Sequence, residues 1–149
     1  MVRAAWAYVG EGGGVIVPPL TDRQRRQTYR RETPLRNAAR RYLAKLAHAK
    51  IIKFHGSAFT EAGTPDTLLV WHGLACWFEW KRGGESAEKI QIARIRRLTY
   101  CGSPCYVCST LGDVESALGD IIARRLDLSN GRACWLHEPV DRCEPSSPS

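Results

Sequence analysis

Three ionisable residues stand where the sequence otherwise reads as buried β-strand: Asp66, closing Gly63-Thr64-Pro65-Asp66, and Glu79 and Lys81 within Glu79-Trp80-Lys81. Burying charge is costly unless it is paired or holds a metal. The apolar runs 66–71 and 74–81 are separated by His72-Gly73, which reads as a two-residue hairpin loop. With that loop Trp71 faces Leu74, and Asp66 falls directly across from Glu79, with Cβ atoms about 4.5–5.5 Å apart. Like charges so opposed repel. A hard divalent cation between them, magnesium or manganese, reverses the sign. Strand alternation puts Lys81 on the face of Glu79, where an ammonium can neutralise a phosphate oxygen and orient an attacking water. The main-chain carbonyl of Trp80 is a further candidate metal ligand. The chemistry indicated is metal-dependent phosphodiester hydrolysis; the bland alternative is an exposed hairpin end with an incidental salt bridge among the three side chains.

The surrounding sequence must position these groups. Residues 1–28 are Gly-rich, then basic, and read as a flexible basic arm. Thr33-Pro34 reads as N-cap and first helical position; Leu35, Ala39, Tyr42, Leu43 and Leu46 then recur at helical spacing to about His48. A strand over 51–54, a loop, the hairpin, a helix over 86–100, a strand over 104–108 and a helix over 110–126 follow. Residues 128–149, ending Glu-Pro-Ser-Ser-Pro-Ser, read as a disordered polar tail. The expected fold is α/β, a single domain over 29–127 with a mixed β-sheet flanked by helices in α-β-β-β-α-β-α order. Segment 74–78 is apolar on both faces, as a central strand should be.

Charge points to the partner. The net charge is +7, yet residues 21–53 hold eleven basic residues against two acids, a local +9, so the remainder is slightly acidic. Such a block is the electrostatic footprint of a polyanion partner, and Arg36, Arg40, Arg41 and Lys45 fall on one helix face. Its alternative is a solvated helix face or arm. No run of about 18 apolar residues is present, so no transmembrane helix is expected, and the N-terminus lacks a secretory apolar region. The expectation is a soluble intracellular protein. Cys101-x3-Cys105-x2-Cys108 superficially suggests zinc, but no firm fourth ligand follows, and buried thiols explain Cys76, Cys101, Cys105 and Cys108 more simply.

Taken in order, Glu32, Gly63-Thr64-Pro65-Asp66, Glu79-Trp80-Lys81 and Gln91 resemble the PD-(D/E)XK nuclease superfamily, and most closely its virus-type replication-repair nuclease (VRR-NUC) branch. The resemblance spans residues 29–120. It implies that Asp66, Glu79, Lys81 and Gln91 are catalytic, and that Asp66, Glu79, the Trp80 carbonyl and Glu32 serve Mg2+ or Mn2+. Lys53, His55 and Ser57 sit where such nucleases place phosphate-contacting residues, alongside Arg36, Arg40 and Arg41. Two departures stand out: Ser86 lies five residues before Gln91 rather than three, and Glu32 precedes the expected N-cap Thr33. By analogy, lone domains of this branch resemble small phage-borne enzymes of replication, repair and recombination. They imply a structure-specific DNA endonuclease, acting as a homodimer on branched, Holliday-junction-like DNA in the (host) cytoplasm. The competing readings are a catalytically weak nucleic-acid-binding module of the same fold, and an interaction protein whose basic arm touches a partner.

Overall fold

The computed structural model describes residues 6–8, 15–54 and 60–129. Two short strands, β1 (Trp6–Tyr8) and β2 (Val15–Val17), pair antiparallel. Helices α1 (Asp22–Arg26) and α2 (Glu32–Leu43) follow. Then come β3 (Ala49–Lys53), β4 (Thr67–Trp71), β5 (Leu74–Trp80), α3 (Lys89–Tyr100), β6 (Cys105–Cys108) and α4 (Leu111–Ser129). From α2 onward this is the expected α-β-β-β-α-β-α order. The sheet runs β3-β4-β5-β6, antiparallel at its first two pairings and parallel at the last, so it is mixed as expected.

The core lies on one face of this sheet. Leu69 and Trp71 of β4 and Cys76, Phe78 and Trp80 of β5 point into it, against Leu35, Ala39, Tyr42 and Leu43 of α2 and Val114, Leu118 and Ile121 of α4. The alternate positions of β5, Trp77 and Glu79, therefore point to the other face. Cys76 and Cys108 are buried, and burial pushes the Cys76 thiol up to about 12; both act as small apolar core groups.

The expectation of a loose arm over 1–28 is corrected for its C-terminal part. Val17 and Leu20 are core residues, and α1 is closed by a capping box between Thr21 and Gln24. The segment is held from far along the chain: the buried carboxylate of Glu115 accepts from Leu20 N at 2.9 Å and from Arg25 Nε at 2.5 Å. Gly112 lets α1 approach α4, since a Cβ there would stand 3.0 Å from the Arg25 carbonyl oxygen. Helix starts also differ from expectation. α2 begins at Glu32, with Arg31 as an N-cap that makes no side-chain bond, so Thr33 is not the cap. Pro34 is still tolerated because first-turn N–H groups have no intrahelical partner. α2 ends at Leu43 rather than near His48, and α4 continues to Ser129, into the expected tail. The rest of that tail, from residue 130, lies outside the described residues.

Candidate active site

The hairpin sets the geometry. His72 and Gly73 have φ of 46° and 82°, the left-handed pair of a two-residue type I′ turn. Trp71 then pairs with Leu74 and Thr67 with Phe78, and the same register sets Asp66 opposite Glu79. Strand-like bonding continues past both ends: Phe54 N donates to the Asp66 carbonyl at 2.8 Å, and Lys81 N to the Cys108 carbonyl at 3.0 Å. On the core side Trp80 Nε1 donates to the buried Thr67 Oγ1 at 2.9 Å, pinning the two strands directly behind the carboxylates.

Glu79 is 3% exposed and Lys81 8%. Lys81 Nζ lies 3.2 Å from Glu79 Oε1, and Gln91 Nε2 donates to the same oxygen at 2.5 Å. Gln91 does two jobs. Its Oε1 accepts from Glu88 N at 2.9 Å, completing the capping box that starts α3, so the helix start and the carboxylate are fixed by one side chain. The expected helix start at Ser86 is thereby corrected to Lys89, with Glu88 as the cap. Gly63 explains its place in the Gly63-Thr64-Pro65-Asp66 run. It has φ +79°, and a Cβ there would lie 2.7 Å from the Ile90 carbonyl oxygen and 3.2 Å from Gln91 N. Only a glycine lets the loop before Asp66 seat against the first turn of α3.

Electrostatically the site has a surplus of negative charge. Burial raises the Glu79 pKa first, the Asp66 charge raises it further and Glu32 adds to the rise, while the hydrogen bond and charge of Lys81 oppose them. A buried carboxyl crowded by two others is stabilised in its charged form by added positive charge. The donor set, hard carboxylate oxygens of Asp66 and Glu79, therefore fits a hard divalent cation. Among the described residues no three acidic, histidine or cysteine side chains close on one point as a ready cage. Magnesium does not need one, being held typically by one or two carboxylates with water and phosphate completing its shell.

Other expected residues are placed less centrally. Glu32, in the first turn of α2, is near enough for its charge to be felt at Glu79. Arg40 and Arg41 are exposed and Arg36 half-buried along α2. Lys53 pairs with Thr67, so by pleat alternation it belongs to the opposite sheet face from Asp66 and Glu79. His55 and Ser57 lie outside the described residues. Sequence reasoning missed Glu115 and Arg25, whose 90-residue separation leaves no local signal, and the role of Gly63, which its position beside Thr64-Pro65-Asp66 hinted at.

No family model and no curated protein matches this chain. Among solved structures, one described as a VRR_NUC domain matches with a TM-score of 0.53 and 18% identity, over 59% of this chain and 94% of that one. At that identity the likeness is one of fold: the mixed four-stranded sheet with its flanking helices is an architecture shared with a VRR_NUC domain.

Proposed function

We propose that this chain is a divalent-metal-dependent nuclease that hydrolyses DNA phosphodiester bonds. The observation that carries the reading is the buried Glu79–Lys81 pair with Asp66 opposite and Gln91 on the same carboxylate. A binding module needs positive charge and has no use for opposed, desolvated acids. The likeness to a structure named for a nuclease domain supports the same reading.

Asp66, Glu79 and the Trp80 carbonyl would hold Mg2+ or Mn2+, with Glu32 contributing charge. The ion supplies Lewis acidity at the scissile phosphate and makes a nucleophile available at neutral pH. The chain's own groups do the rest. Lys81 places an ammonium beside the carboxylates, where it neutralises charge developing on the phosphate and orients the incoming water. Gln91 holds Glu79 in one rotamer, and Thr67 with Trp80 keeps the strands from shearing. Arg36, Arg40 and Arg41 supply the sequence-independent attraction for the phosphate backbone.

The substrate we favour is branched DNA, cut endonucleolytically. One small domain covers little of a junction, so a symmetric homodimer is the matching assembly. The test is a cleavage panel of linear duplex, flap, splayed arm and four-way junction, with magnesium, manganese or EDTA. Wild type should cut in either metal and not in EDTA, and Asp66→Asn and Glu79→Gln should each be inactive while folded. An Asp66→Asn protein that cuts every substrate as fast as wild type sinks the proposal.

A further inference from the structure

A groove of about 620 Å3 opens between α1 and α2, within the size range of ligand sites, about 300–1,000 Å3. Its α2 wall is a stripe of Thr33, Asn37 and Arg41 at four-residue spacing, continued by Lys45 in the turn beyond the helix. That spacing keeps Thr33, Asn37 and Arg41 on one helix face, a stripe of about 12 Å at about 1.5 Å per residue. Gln24 and Gln27 line it from the α1 side. The stripe starts one residue from Glu32, at the end of α2 nearest the carboxylates.

Two independent observations point to an occupant. Tyr42 lines the groove, is 3% exposed, and its hydroxyl meets no hydrogen-bond partner among the described residues. Leaving a buried hydroxyl unsatisfied is costly, and native structures rarely do so. The charge is also one-sided. Arg41 and Lys45 are the ionisable lining residues apart from the two tyrosines, and no carboxylate faces them from the other lining residues. The remaining polar groups are amides and a hydroxyl, which both donate and accept. Cations beside paired donors and acceptors suit a ligand with an anionic group and a hydrogen-bonding edge, which is the chemistry of a nucleotide.

We propose that this groove seats a nucleotide of the substrate strand, with its phosphate between Arg41 and Lys45 and its base edge against Gln27 and Asn37. The inference rests on the nucleic-acid reading above and extends it to a contact away from the cut bond. Binding energy gathered there fixes the strand relative to Asp66 and Glu79.

The test uses the full chain carrying Asp66→Asn, a fluorescein-labelled single-stranded 20-mer in EDTA, and fluorescence anisotropy. Asn37→Ala with Lys45→Gln, both at exposed positions, should weaken binding about tenfold, with a salt slope lower by about 0.7 per lost single-strand contact. Tyr42→Phe should weaken it about threefold without lowering the melting temperature, because the hydroxyl makes no bond within the described fold. Deoxyadenosine monophosphate should bind more weakly than the 20-mer; tighter binding would assign the groove to a free nucleotide and overturn strand seating. Unchanged affinity and slope in both variants, with a wild type that binds and cuts DNA, would overturn the groove and leave the nuclease standing. A wild type that neither binds the 20-mer nor cuts any substrate would overturn both.

Discussion

Replacing Gly63 by alanine tests whether the loop before Asp66 and the start of α3 act as one unit. Two costs arise. An L-residue held at φ +79° loses about 1–2 kcal/mol to steric conflict with its own backbone. The new Cβ would also stand 2.7 Å from the Ile90 carbonyl oxygen and 2.9 Å from its carbon, and overpacking against rigid backbone costs about 1–3 kcal/mol. Together these give about 2–5 kcal/mol. Gly73→Ala is the matched control. Its φ is +82°, yet nothing lies within 4 Å of the added carbon, so only the first cost, about 1–2 kcal/mol, applies. The difference between the two variants in urea titrations therefore isolates the close approach. Function should separate them further. Relief of the clash moves Ile90 and Gln91, and Gln91 both closes the capping box of α3 and donates to Glu79. Misplacement of such a group by about 1 Å costs up to about 10²-fold in rate. Gly63→Ala should lose cleavage under conditions where it is fully folded, while Gly73→Ala keeps it. Equal stability losses and equal rates in the two variants would refute the interlock.

Lys81→Met should lower the single-turnover cleavage rate far more than it weakens metal binding, because an ammonium is not a cation ligand; equal losses in both measurements would count against its role. In EDTA, stability should carry a pH signature of Glu79. Its folded-state pKa is raised, so the stability contributed by the protonated carboxyl is full below the ordinary carboxylate range and is lost as pH rises through the folded value. Glu79→Gln should flatten that fall in urea midpoints as pH rises above the ordinary carboxylate range, whatever its offset from leaving Lys81 without its partner; parallel profiles would show that Glu79 does not titrate abnormally. Glu115→Gln should loosen the segment around α1 and speed tryptic cleavage at Arg23, Arg25 and Arg26, whereas an unchanged digestion pattern would show that the carboxylate does not hold it.

What could be read from the sequence was what short-range rules determine. The His72-Gly73 turn fixes strand register through a handful of adjacent residues, so the opposition of Asp66 and Glu79 followed from counting. The apolar character of 74–78 identified the central strand in the same way. Helix starts were harder. Thr33-Pro34 has the composition of a cap, but a proline is accepted throughout the first turn, and α2 takes Glu32 into that turn instead. That shift brings its carboxylate close enough for its charge to be felt at Glu79. The start of α3 was set by the tertiary bond from Gln91 to Glu79 as well as by its own cap. The burial of Leu20 could not be seen locally, since its main-chain N–H is held by Glu115 of α4.

The bond between Leu20 and Glu115 joins residues 95 apart in the chain, which gives the order of assembly a direction. On a ribosome adding about 5–20 residues per second, α1 emerges roughly 5–20 seconds before the helix that anchors it. Throughout that interval Arg25 has its neighbour Asp22 to pair with, but not Glu115. The contact that ties α1 to α4 therefore forms only once the helix bearing Glu115 is present, and the α1 wall of the groove is set with it.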